Sequence, residues 1–227
     1  MTAISKETFQ FLTDLKKNND RDWFTKNKKR YEVAHQNVIG FADQLLLEIN
    51  KHDHIETPTG KKSLFRIYRD VRFSADKSPY KTWWAGGFKR ATSKLRGGYY
   101  FHIEPNSIFA AGGFWGPSKE DLLLIREQIQ ADPIPLRKII NSKSFKTYFG
   151  ELKGEKLKTS PKGFDKEDPA IDLLCFKQFL VSREIDPKMA QSADLVKELN
   201  ETFKAMRPFF DYMSEILTTD LNGESTV

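Results

Sequence analysis

The first fifty residues carry apolar side chains at the three- and four-residue spacing of amphipathic helices. Ser5 can cap a first helix that runs to about Lys17, with an apolar stripe that begins at Phe9. The spacing predicts a second, longer helix over residues 20–50. The polar NND turn between them predicts an antiparallel helical pair.

The pattern then changes to the alternation of β-strands. Residues 64–73, LFRIYRDVRF, alternate and are rich in branched and aromatic side chains, which predicts a strand. GGYYFHIEP and SIFAAGGFW predict an antiparallel hairpin that turns at Pro105 and Asn106. KQFLVSREI predicts a further strand.

Helical signals return after the hairpin. Ser118 is the expected cap of a helix that runs to about Gln130, and shorter helices are expected at LRKII and SFKTYF. Asp168 is expected to open another helix, and the tail from Asp186 is predicted to be helical with a break or kink at Pro208. Because helices and strands occur in blocks, the fold class is predicted as α+β. The sheet should be mainly antiparallel, with four or more strands packed against N-terminal and C-terminal helices.

Length and composition add limits to this picture. A chain of 227 residues without repeats or a Gly/Ser linker predicts one domain over residues 1–227. No apolar run is long enough to cross a membrane and no export signal is recognised, so no membrane partner is expected. The lone cysteine, Cys175, fits a reducing compartment, and a cytoplasmic location is expected.

Charge is concentrated in one segment. Residues 61–96 hold eleven Lys or Arg side chains against two acids, although the whole chain has a net charge of only +6. A local basic excess of this size indicates an anionic partner.

Within that segment, the predicted strand places Arg69 on its apolar face. Arg66 and Arg72 lie on the other face, on either side of Asp70. A buried guanidinium must pair with an acid or bind an anionic ligand, because an unpaired buried charge is very costly. The predicted ligand-binding residues share charge or a donor group and are Arg66, Arg69, Asp70, Arg72, Lys77, Tyr80 and Lys81.

The same residues carry a family resemblance. The pattern RxxRDxRFxxxKxxY, which begins at Arg66 and ends at Tyr80, resembles the signature of the family known as domain of unknown function 2461. NNDRDWFTKNKKRYE, GGYYFHIEP, AGGFWGPS and PKGFDKEDPAIDLL resemble its other recurring blocks. The resemblance covers nearly the whole chain and implies a single-domain, mostly bacterial protein. It implies no catalytic residue, because no function is established for the family.

Three functions remain open from the sequence. The first is binding of, or catalysis on, a small phosphorylated or carboxylated ligand at the arginine-rich segment. The second is nucleic-acid binding, in which Tyr68, Trp83 or Trp84 stack on bases. The third is a structural Arg/Asp network, with function in a protein interface. His102 and Glu104, which share a face of their predicted strand, are weaker candidates that could join Asp70 in an acid, base or metal set. No metal ligand set, cofactor or reaction is assigned.

Overall fold

The computed structural model describes residues 3–220 and 224–227. Its N-terminal helices are α1 (Lys6–Lys17), α2 (Arg21–Lys26) and α3 (Lys28–Ile49). The cap at Ser5 is confirmed, since its Oγ accepts from the N–H of Thr8 at 3.2 Å.

The prediction of one helix over residues 20–50 is wrong, because two helices meet at Asn27. Asp20 caps α2 by accepting from the N–H of Trp23 at 2.8 Å. The Asn27 Nδ2 donates back to the Trp23 carbonyl at 2.9 Å. This side-chain bond competes with helix continuation, as short amides do at helix ends.

Four strands form one antiparallel sheet in the order β1-β2-β3-β4. They are β1 (Trp84–Lys89), β2 (Gly98–Glu104), β3 (Ser107–Phe114) and β4 (Phe179–Ile185). The predicted hairpin is β2–β3 and the predicted later strand is β4. The α+β prediction is therefore confirmed.

The predicted strand over residues 64–73 is wrong. This segment follows the short helix α4 (Gly60–Ser63) and belongs to no strand; its β-pairing in the described chain is limited to isolated bridges, one from Leu64 to Gly86 and one from Tyr68 to Tyr80. The edge strand next to β2 is instead β1, which the sequence pattern missed. Since β1 occupies that position, residues 64–73 pair with it only at their start.

The later helices are α5 (Lys119–Ala131), α6 (Ile134–Ile140), α7 (Lys143–Phe149), α8 (Ile171–Leu174) and α9 (Leu195–Thr218). Ser118 caps α5 as predicted, accepting from the N–H of Asp121 at 3.0 Å. The helix expected at Asp168 begins only at Ile171, because the Asp168 side chain bonds the N–H of Ala170 in a turn. Of the predicted break or kink at Pro208, the break is wrong, since α9 continues through this residue, and the kink stays a prediction.

The chain forms two compact units. The first comprises Met1–Phe88, Tyr100–Ala110 and Glu184–Glu201, and its core includes the contact of Phe41 with Phe101 at 5.9 Å between ring centroids. The second comprises Lys89–Tyr99, Ala111–Arg183 and Thr202–Val227. The expectation of one domain stays a prediction. Among the described residues, no helix has the length and apolar character needed to cross a bilayer.

Replacing Gly86 should destabilise the protein because its backbone lies against the buried Phe101 ring. A Cβ at this position would lie 2.6 Å from the nearest ring carbon. We expect Gly86→Ala to lower the free energy of unfolding by about 1–3 kcal/mol, the usual range for overpacking. Urea unfolding measures the change. Gly116→Ala, where a Cβ meets nothing within 4 Å, is the control. Equal stability of the two variants would contradict the packing argument.

Candidate functional site

Residues 64–81, here called the basic loop, fold back on themselves. The Arg69 N–H donates to the Pro79 carbonyl at 2.9 Å, and the Lys81 N–H donates to the Ile67 carbonyl at 2.7 Å. Ile67 is buried beneath the loop. The loop therefore has a defined backbone path without belonging to the sheet.

Asn19, which follows α1, holds the end of the basic loop. Its Nδ2 donates to the Tyr80 carbonyl at 2.9 Å, and its Oδ1 accepts from the Tyr80 N–H at 3.1 Å. The Tyr80 ring is buried and stacks on Phe24 with centroids 4.0 Å apart. Burial, and then the nearby Tyr68, raises the pKa of Tyr80. Tyr80 therefore anchors the loop.

Arg69 is partly buried and binds groups of its own loop. Its Nη1 donates to the Asp76 carboxylate and to the Ser78 carbonyl, the latter at 3.1 Å. Its Nη2 lies 3.4 Å from Ser74 Oγ. Asp76 is the acidic partner that the sequence analysis required for Arg69, unless a ligand took that place. Arg69 lies in a loop, however, and not on the face of a strand.

Lys81 also supports the loop backbone. Its Nζ donates to the carbonyls of Arg66 and Tyr68, the latter at 3.1 Å, and lies 5.3 Å from the centroid of the Trp83 ring. Burial, and then the positive charge of Arg66, lowers the pKa of Lys81. The Arg66 side chain is exposed and makes no hydrogen bond or ion pair within the part of the chain that the structure describes.

The remaining predicted residues lie on the outer part of the loop. Arg72 donates two hydrogen bonds to Asp70, from Nε at 3.0 Å and from Nη2 at 2.7 Å, and both side chains are exposed. Hydrogen bonds from Arg72 lower the pKa of Asp70. Lys77 Nζ donates to the Val71 carbonyl at 2.9 Å. These three residues stabilise the turn and are not in the lining of the depression that contains Arg69.

Three of the seven predicted residues, Arg69, Tyr80 and Lys81, line one depression, here called the basic groove. It has a volume of about 350 Å³ and opens to solvent. Its lining residues are Lys16, Asn19, Arg69, Asp76, Ser78, Tyr80, Lys81, Thr82 and Trp83. Among these described residues, three cations face a single carboxylate. Lys16 was missed, because an exposed lysine in the last turn of a helix carries no local signal of a site.

His102 and Glu104 share the less buried face of β2, as predicted. The His102 ring lies 4.9 Å from Trp83, and its Nδ1 is 3.3 Å from the Tyr100 hydroxyl. Burial lowers the pKa of His102, while Glu104 raises it by a smaller amount. Glu104 lines a second, smaller cavity of about 120 Å³ that shares Lys16 with the basic groove.

Asp70, the third member of the acid, base or metal set considered from the sequence, pairs with Arg72 in the outer part of the basic loop. Within residues 3–220 and 224–227, no group of three or more His, Cys, Asp or Glu side chains is placed to hold a metal ion. Trp84 cannot stack on a base, since it is 2% exposed and packs parallel to His35 with centroids 5.5 Å apart.

The structure defines an α+β protein with a basic groove formed by a loop beside the sheet. The family model described as "Conserved hypothetical protein (DUF2461)" matches residues 7–212. The chain belongs to this family, and the resemblance is confirmed. No curated protein and no solved structure matches the chain.

Asp76 gives the basic loop a testable pH dependence. Hydrogen bonds from the Ser78 side chain and backbone, and then from Arg69, lower the pKa of Asp76 from 3.8 to about 2. A depressed carboxyl pKa adds stability above the unfolded value, and that stability is lost as the pH falls through the folded value. We expect wild type and Asp76→Asn to differ most in free energy of unfolding at neutral pH. This difference should shrink as the pH falls from 3.8 to about 2.

Urea unfolding of both proteins across this pH range measures the difference. Wild type and variant are compared at each pH. The other carboxyl groups titrate equally in both proteins, so their contribution cancels in the difference. A difference that does not change with pH would contradict the assigned role of Asp76.

Proposed function

We propose that the protein binds a small phosphorylated or carboxylated ligand in the basic groove. The observation that carries the proposal is that Lys16, Arg69 and Lys81 line one depression in which Asp76 is the only acid among the described lining residues. Its volume lies in the range of small-molecule sites, about 300–1,000 Å³. A positive concave surface of this kind favours an anion.

The groove cations keep donors for a ligand after their internal bonds are counted. Lysine has three N–H donors and arginine has five. Lys81 uses two on carbonyls of the basic loop. Arg69 makes three bonds, one of them long at 3.4 Å. Lys16 makes no hydrogen bond or ion pair with any described residue. The internal bonds hold Arg69 and Lys81 in place, so less order has to be imposed when a ligand binds.

A structural role accounts better for the outer part of the basic loop. The bidentate pair of Arg72 with Asp70, and the bond from Lys77 to a carbonyl, satisfy these groups without a ligand. We therefore assign ligand binding to the groove residues and loop stability to this outer set. A cytoplasmic location belongs to the same proposal, supported by the single cysteine, Cys175.

Lys16→Gln tests the proposal without disturbing the basic loop. Removing one charged contact to a bound anion should weaken binding about tenfold or more. Calorimetric titration with inorganic phosphate, and then with sugar phosphates and dicarboxylates, measures the affinity. Ligand at a hundredfold its dissociation constant should also stabilise the wild-type fold by about 2.7 kcal/mol.

Lys17→Gln is the matched control. Lys17 is the next residue of α1, is exposed and lies outside the groove lining, so the same charge is removed from the same helix end. Its affinity should equal that of wild type. Equal weakening in both variants, or no binding of any of these anions to wild type, would overturn the proposal.

A further inference from the structure

The face of the sheet that points away from the core carries aromatic side chains. In β2, Tyr99, Phe101 and Ile103 are buried, whereas Tyr100, His102 and Glu104 alternate with them on the half-buried face. Phe109 of β3 stacks on His102 with ring centroids 4.7 Å apart and planes inclined by 14°. It also lies 5.6 Å from Tyr100.

This row continues in both directions. Phe65, which is 47% exposed, lies 5.9 Å from Tyr100. At the other end, Trp83 lies 4.9 Å from His102. The aromatic strip is the set Phe65, Tyr100, Phe109, His102 and Trp83. Because Trp83 also lines the basic groove, the strip and the groove form one continuous surface.

We propose that single-stranded nucleic acid binds across the aromatic strip, with bases on its rings and phosphates in the basic groove. This assignment rests on the proposed anion binding of the groove and extends it from a small anion to the backbone phosphates of a polymer. Every base has a π-face that can stack on an aromatic side chain, and sheet surfaces with neighbouring aromatics recognise single strands in this way.

Charge supports a polyanion as the occupant. Residues 61–81 hold seven Lys or Arg side chains against two acids, Asp70 and Asp76, and both acids are already paired with arginines. The five rings of the strip are separated by four centroid-to-centroid steps of 4.7–5.9 Å. The strip is therefore longer than a single base. Bases in a duplex are already stacked on each other, so the strip should select single strands.

Fluorescence anisotropy with labelled oligonucleotides of about ten nucleotides, a length within the usual site sizes, tests the proposal. Oligo(U) and oligo(dT) are the two single-stranded probes, since the proposed chemistry is common to RNA and DNA. A duplex of the same length is the third probe. We expect both single strands to bind more tightly than the duplex by tenfold or more. Three phosphate contacts should give a slope of about −2 for log affinity against log salt.

Phe65→Ala tests the strip, because this partly exposed ring lies on the basic loop. It should weaken oligonucleotide binding about tenfold, within the range found for base stacking, and leave inorganic phosphate affinity unchanged. Phe109→Ala should do the same. Trp115→Ala is the control, since Trp115 is 74% exposed and makes no ring contact with another described residue. Thermal unfolding verifies that each variant is folded.

The outcomes separate this inference from the anion-binding proposal. Phosphate binding without oligonucleotide binding would overturn the inference alone, and absence of both would overturn both proposals. Equal affinity for duplex and single strand, or equal loss in Phe65→Ala and Trp115→Ala, would also overturn the role of the strip.

Discussion

A loop that lies outside the sheet has to satisfy its own polar backbone groups, and the basic loop meets this requirement with its cations. Arg69, Lys77 and Lys81 each donate to a backbone carbonyl of the same loop. Asn19 adds a pair of hydrogen bonds to the backbone of Tyr80. The Ser78 carbonyl is in a part-buried hydrogen bond and the others are in exposed ones. These side chains take the place that a neighbouring strand would have in a sheet. The shape of the basic groove depends on this arrangement.

The same bonds explain why fold and ligand binding overlap in this region. Arg69 and Lys81 hold the loop and also line the groove, so substituting either changes the stability of the loop as well as the charge of the groove. Lys16 differs, because it enters the groove from α1 and supports no part of the loop. Binding and stability can therefore be separated at Lys16.

The side chains of β2 alternate between the core and the open surface that adjoins the basic groove. One face of β2 packs on the core through Phe101, and the other presents Tyr100 and His102. Burial lowers the pKa of His102, which favours the neutral ring, and this ring packs as an aromatic side chain against Phe109 and Trp83. A strand with a two-residue period can thus serve the core and an open surface together.

Local patterns in the sequence determined the helix caps at Ser5 and Ser118, the β2–β3 hairpin, and the common face of His102 and Glu104. These features depend on neighbouring residues, and short-range spacing encodes them. Tertiary structure alone decided that residues 64–73 form a loop, because β1 takes the outer position in the sheet. It also brought Lys16 beside Arg69 and Lys81. Strand pairing and groove assembly are competitions between segments far apart in the chain, and local propensity does not encode their outcome.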